Sequence, residues 1–220
     1  MSIVVLAFQV GPYLEQCLES ITAQTFSDFE VLVIDDGSTD ETPAVCDAFA
    51  ARDGRIRVFR RKENGGIVRA RKTGAEQARG RYLAAVDGDD WAEPEMYAAL
   101  CGAAAQTGAD IVQCNAIGNY PRRRVRLEIT ALEPGFYSGP VYQSRIARTL
   151  TGESLSGSRL FFSSLCNKII RRELLLRALE GMDERCVFGE DAACSLFCAA
   201  CRWRAGGTAY PESPPVRQRR

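Results

Sequence analysis

The sequence predicts an α/β fold, a mostly parallel sheet flanked by helices, and three observations carry that prediction. Apolar runs of strand length alternate with segments of helical period, and the strands begin near residues 31, 56, 82 and 110, about 25 to 28 residues apart. That spacing is the length of a repeated strand–helix–strand unit. Turn residues (Asp36 to Asp40, Gly54, Gly80, Gly108) punctuate the joins. Two acidic clusters, Asp35-Asp36 and Asp87 to Asp90, directly follow strands. Open α/β sheets bind ligands beyond the carboxyl ends of their strands.

Each element has its own justification. Residues 3–8 form a short apolar run, as expected of a strand buried on both faces. Leu14, Cys17, Leu18 and Ile21 then recur at helical spacing. Residues 30–35 read as a second strand and run into the turn Asp36-Gly-Ser-Thr-Asp40. The next helix starts near Glu41, with Pro43 in the first turn, where a missing N–H costs nothing. Residues 56–59 are a third strand. Gly65-Gly66 opens a helix with Ile67, Ala70, Gly74 and Ala78 on one face. Residues 82–86 are a fourth strand, Pro94 starts a helix ending near Gly108, and residues 111–114 are a fifth strand. Residues 119–140 read as loops with a hairpin. Helical patterns return at 141–150, 172–180 and 190–203, and the proline-rich stretch 206–220 reads as an irregular tail.

Composition removes whole classes of chemistry. The chain has 220 residues, 46% hydrophobic and 25% charged, which describes a folded globule. Its 28 basic and 28 acidic side chains cancel, against the basic footprint of a nucleic-acid binder. It contains no histidine, so imidazole-based triads, dyads and zinc helices are excluded. Nine cysteines, mostly in apolar helical patterns, fit buried thiols in a reducing cytoplasm. The start, MSIVVLAFQV, lacks the basic region of a secretory signal.

Three carboxylates in Asp87-Gly-Asp-Asp90 repel one another unless a cation sits among them. They suit Mg²⁺ or Mn²⁺ bridging phosphate oxygens, or an exposed acidic turn capping a helix. Asp35-Asp36 with Gly37-Ser-Thr-Asp40 makes a tight turn, or offers a carboxylate to a nucleobase or ribose. In Asn64-Gly-Gly-x-x-Arg69-Ala-Arg71 the glycines allow close ligand approach, and Arg71 can neutralise a diphosphate. Cys194-x3-Cys198-x2-Cys201 has the spacing of an iron–sulfur loop, but it falls on one helix face and reads as core. Arg122 to Arg126 is a solvated loop or a patch for anionic lipid, and Trp91 either stacks on a sugar or covers a sheet edge.

Together, EVLVIDDGSTDET, ENGGIVRARKTGAEQARGRYLAAVDGDDW, the later GED and the preceding YLEQCLESITAQT resemble the family 2 glycosyltransferases of the GT-A fold, over nearly the whole chain. The resemblance implies an inverting transfer from a nucleotide-sugar, by family habit a UDP-sugar, to a hydroxyl of a glycan or lipid-linked saccharide in cell-surface polysaccharide synthesis. It implies that Phe8 lies against the base, Asp36 binds it, Asp87 sits near the ribose and Arg71 near the diphosphate. Asp89 is the implied ligand of Mn²⁺ or Mg²⁺, with Asp87 and Asp90 beside it. Gly189-Glu190-Asp191 matches the acidic motif, in which Asp191 is the catalytic base. Residues 1–115 then form the nucleotide-sugar-binding half and 116–205 the acceptor and catalytic half, with 206–220 the tail. A cytoplasmic enzyme touching the inner face of the membrane is the implied setting.

The chain departs from the family at Leu6-Ala-Phe8-Gln9, where relatives carry Pro-x-Tyr-Asn, and at Ala70-Arg-Lys72, where they carry Ala-Arg-Asn. It also stops early compared with many relatives. The alternative from another class is a truncated or weak nucleotide-sugar-binding module. A sugar-phosphate nucleotidyltransferase is disfavoured, because Ala7-Phe-Gln-Val-Gly11 is not a glycine-rich basic loop.

Overall fold

A computed structural model of the chain describes residues 1–120, 123–127, 135–138, 164–186, 189–201, 208–210 and 217–219. In chain order the first half comprises β1 (Ser2–Ala7), α1 (Gly11–Thr22), β2 (Glu30–Asp35), α2 (Thr42–Arg52), β3 (Ile56–Arg60), α3 (Ile67–Gln77), β4 (Tyr82–Asp87), β5 (Trp91–Ala92), α4 (Met96–Thr107) and β6 (Ile111–Gln113). The second half comprises β7 (Ala116–Tyr120), β8 (Arg123–Leu127), β9 (Gly135–Tyr137), β10 (Lys168–Arg171), α5 (Arg172–Glu180), α6 (Glu190–Cys201), β11 (Thr208–Tyr210) and β12 (Arg217–Arg219). The helical pattern expected at 141–150 lies outside the described residues.

Alternation along the strands makes two cores. Ile3, Val5, Val31 and Val33 face one side of the sheet, with Leu14, Leu18 and Ile21 of α1, Phe49 of α2 and Tyr97 and Leu100 of α4. Val4, Leu6, Leu32 and Ile34 face the other, with Ala70 and Ala75 of α3, Leu175 and Leu179 of α5 and Cys194 and Cys198 of α6. Side chains one residue apart on a strand point to opposite faces, so a run apolar at every position must be covered twice. Two of the three cysteines of the α6 spacing, Cys194 and Cys198, are fully buried in this second core. Gly74 lets α3 settle close to β1: a Cβ there would stand 2.3 Å from Val4 Cγ1.

Among the described residues the main sheet runs β3-β2-β1-β4-β10-β6-β11-β9. The strands β3, β2, β1 and β4 are mutually parallel, as expected. Beyond them the order departs from a simple repeat. The strand β10 wedges antiparallel between β4 and β6, and Arg171 binds Asp110 at the turn before β6. Its four residues, Lys-Ile-Ile-Arg, show too little apolar pattern to be read locally. The expected irregular tail instead supplies β11, parallel to β6, and β12, which joins β5, β7 and β8 in a second sheet. Pairing partners 71 to 127 residues away order these short segments, which no local signal announces. Trp91, half-buried in β5, sits on the edge strand of that second sheet. The arginines of 123–126 lie in β8, hairpin-paired with β7. No helix of the described residues is long and apolar enough to cross a membrane.

The buried thiols give the fold a pH signature. Burial pushes Cys46, Cys114 and Cys194 up to about 12 and Cys101 up to about 11, from an ordinary 9.0. Thiols that ionise only in the unfolded chain stabilise the fold fully below pH 9, and that contribution is lost as pH rises toward 11–12. Lys168 acts oppositely: burial lowers it from 10.5 to about 8, so its destabilising charge is relieved across that interval. Four thiols outweigh one lysine. The urea midpoint in reducing buffer is expected to fall between pH 8 and pH 10, and a flat or rising midpoint would refute the thiol account.

Candidate active site

Strand register assembles the site. Ala7 pairs with Asp35 and Leu6 with Asp87, so β1, β2 and β4 end side by side. Their next residues (Phe8, Asp36 and the Gly88-Asp89 turn) emerge together around one cleft of about 280 Å³. Gly66 and Ile67, opening α3, complete the wall. Phe8 is 45% exposed there, an apolar ring held open toward the cleft.

The two aspartates of the first cluster divide their roles. Asp35 is fully buried and structural: it accepts from the Ser38 N–H at 3.0 Å and pairs with Arg60 Nε at 3.1 Å. Asp36 lines the cleft and accepts from the N–H groups of Gly65 at 3.0 Å and Gly66 at 2.9 Å, with Arg61 Nε at 3.1 Å. Gly37 permits this contact. Its φ is +81° and a Cβ would lie 2.7 Å from the Glu63 carbonyl carbon, so only glycine lets this turn touch the 63–66 segment.

The second assembly is a nest of carboxylates around Arg71. Arg71 lies on the buried face of α3 and is 4% exposed. Its Nη1 stands 2.7 Å from Asp191 Oδ1, and its Nη2 lies 3.4 Å from Glu190 Oε1 and 3.9 Å from Asp87 Oδ1. The Asp191 contact is an ion pair without hydrogen-bond alignment, and Nε has no hydrogen-bond partner. Burial works against the guanidinium's charge, but the carboxylates of Asp191, Asp87 and Glu190 outweigh it and raise its pKa. Arg71 does not line the cleft. Its contacts are with the carboxylates of Asp191, Glu190 and Asp87.

Glu190 and Asp191 occupy the first turn of α6, where the helix dipole favours negative charge. Glu190 is the more buried, its side chain 10% exposed against 20% for Asp191. Lys168 is fully buried behind them and donates from Nζ to the Ser164 carbonyl, while the Asp191 charge partly offsets its desolvation. Arg69 and Lys72 bind Glu184 at 2.7 and 3.4 Å, fastening α3 to the segment leading into α6.

The acidic cluster after β4 splits in the same way. Asp87 and Asp89 line the cleft, Asp89 exposed, whereas Asp90 is buried with its N–H on the Asp87 carbonyl at 2.9 Å. Asp87, Asp90 and Cys166 offer atoms within 4.8 Å of one another, and Asp89 stands outside that group. Cys166 donates from Sγ to Asp87 Oδ2 at 3.2 Å. Burial, reinforced by Asp87 and Asp191, pushes this thiol up and keeps it protonated. The available donors are therefore carboxylate oxygens, a set that fits a hard divalent cation.

The structure thus gathers Phe8, Asp36, Asp87 and Asp89 on the cleft, and Arg71, Glu190 and Asp191 beside Asp87. Sequence reasoning missed Arg61, Cys166 and Lys168. Arg61 had a weak signal in the basic run Arg60-Arg61-Lys62. The other two had none, because a cysteine and a lysine near a short strand look ordinary.

The family model for Glycosyl transferase family 2 matches residues 2–177. An uncharacterized glycosyltransferase of Bacillus subtilis, EpsJ, is 34% identical over 198 residues, which are 89% of this chain and 55% of that protein. Among solved structures, S. aureus TarS 1-349 in complex with UDP-GlcNAc is similar with a TM-score of 0.77 at 20% identity, covering 100% of this chain and 58% of that one. The mannosyltransferase PcManGT from Pyrobaculum calidifontis, in complex with GDP-Man and Mn²⁺, matches with a TM-score of 0.66 at 20% identity, covering 98% and 55%. These structural likenesses show the fold, and the chain spans a little over half the length of each of the three proteins.

Proposed function

The chain belongs to glycosyltransferase family 2 and has the GT-A fold, and from that premise we propose that it moves a sugar from a UDP-sugar to a hydroxyl of a glycan or lipid-linked saccharide, with inversion, in building a surface polysaccharide. One observation carries the reading: an aromatic ring and three carboxylates meet on a cleft at the ends of three parallel strands, with a second carboxylate pair held beside it.

In this reading the base lies between Phe8 and Asp36, and the ribose lies near Asp87. Asp191 accepts the proton of the acceptor hydroxyl as its oxygen attacks the anomeric carbon. The bond to the diphosphate breaks on the opposite face, and the electron pair leaves with the nucleoside diphosphate. Attack from behind the leaving group is what inverts the centre. Asp87 and Asp90, whose carboxylates converge, and the exposed Asp89 on the same turn would hold Mn²⁺ or Mg²⁺, which when bound neutralises charge on the diphosphate. Arg71 holds Asp191 and Glu190 next to Asp87, so the base is aimed before the acceptor arrives. The bound UDP-GlcNAc of TarS and the bound GDP-Man and Mn²⁺ of PcManGT support a nucleotide-sugar donor and a divalent cation.

Calorimetry with UDP in the presence of Mn²⁺ or Mg²⁺, followed by a panel of nucleotide-sugars assayed for transfer and hydrolysis, tests the proposal. The expected result is UDP binding with turnover of one donor. No nucleotide binding would overturn the reading, and binding without turnover of any donor would leave only a nucleotide-sugar-binding module.

A further inference from the structure

Gln9 is the one non-glycine residue with positive φ among the described residues, at +54°. A residue without Asn or Asp chemistry rarely holds that conformation, and such strain persists only where surrounding contacts enforce it. Here they do. The Gln9 side-chain Oε1 accepts from the N–H groups of Thr39 and Asp40, both at 3.1 Å, and its Nε2 donates to Thr39 Oγ1 at 2.9 Å. Its own N–H donates to Ser38 Oγ at 3.1 Å. The next two residues continue the seam: the Val10 N–H donates to Thr42 Oγ1 and the Gly11 N–H to Asp40 Oδ2, each at 2.9 Å.

This seam joins the two sides of the cleft. Gln9 follows Phe8, whose ring lines it, and the segment it grips begins two residues after Asp36, the carboxylate opposite. The positive φ turns the chain sharply just after the ring, and the amide bonds couple that turn to the 38–40 segment. We propose that Gln9 is a positioning residue for the donor, clamping the Phe8 wall and the Asp36 turn at the separation that a flat nucleobase requires. The inference rests on the donor reading above and adds to it the residue that sets the gap.

Two variants separate the clamp from the strain. Gln9→Gly removes the amide but relieves the backbone, whereas Gln9→Met keeps the strained backbone and nearly the same length while losing every side-chain hydrogen bond. Both are expected to raise the Kd for UDP and the KM for the donor about tenfold, the scale of losing two or three modest hydrogen bonds, with kcat within about twofold. Gln9→Gly should melt no lower than wild type. Amide hydrogen exchange at Thr39 and Asp40 should quicken in both variants. A Kd and KM within twofold of wild type in both, or a loss confined to Tm, would overturn the proposal. Failure of the wild-type chain to bind UDP would instead overturn the donor reading, and the role of Gln9 with it.

Discussion

Replacing Asp191 with asparagine is expected to lower kcat about 10²–10⁴-fold, the range for loss of a positioned general base, while UDP affinity stays within about threefold. Asp191 and Glu190 are neighbours, and the choice between them follows from their exposure. The Glu190 side chain is turned inward beneath Arg71, while Asp191 keeps twice its fractional exposure, 20% against 10%, and so can meet an incoming hydroxyl. Asparagine preserves shape and the first turn of α6, and Arg71 retains Glu190 and Asp87. The fold should therefore survive, and a Tm close to wild type would confirm that the loss is chemical. Single-turnover measurements with saturating donor would isolate the transfer step. Near-normal turnover would remove Asp191 from the role and shift attention to Glu190.

Replacing Arg71 with methionine is expected to cost about 3–5 kcal/mol of stability, the range for removing one partner of a buried ion pair. For a domain of this size that amounts to a fall in Tm of roughly 10 °C. The cause is what remains: three carboxylates from two elements face one another with the shared cation gone. Lys168 stays nearby, but its Nζ is engaged by Ser164. Turnover should fall as well, because Asp191 is no longer held toward Asp87. Arg71→Lys should lie between, keeping the charge but losing the fork that spans separate carboxylates. Differential scanning fluorimetry beside kcat reads both effects. An unchanged Tm in Arg71→Met would show that the carboxylates do not depend on this cation.

Much of this site was legible because its signals are local. Asp36, Asp87 and Asp89 follow strands that read as strands, and the register of parallel pairing sets strand ends side by side. Phe8 was legible for the same reason. Arg71 was legible as a site residue, but its protein contacts were not: no local pattern announces that the fold brings the side chain against Glu190 and Asp191, 119 and 120 residues further along. Helix α3 carries Arg71 on the same face as Gly74, and the close approach at Val4 swings that face inward. Gln9 was visible as a departure from the family's pattern, yet its grip on Thr39 and Asp40 exists only when β1 and β2 are paired.

By itself the sequence determined the alternating first half, the acidic turns and the exclusion of imidazole chemistry, since periodicity, turn residues and composition are properties of neighbouring residues. Only the tertiary structure decided where the short polar strands go, which carboxylates share Arg71, and that Lys168 is buried at the centre of a sheet. A four-residue strand with a lysine at its start gains its place from β4 and β6 on either side, and the lysine can be buried there because the Ser164 carbonyl four residues earlier accepts from it and the charge of Asp191, on a distant helix, partly offsets its desolvation.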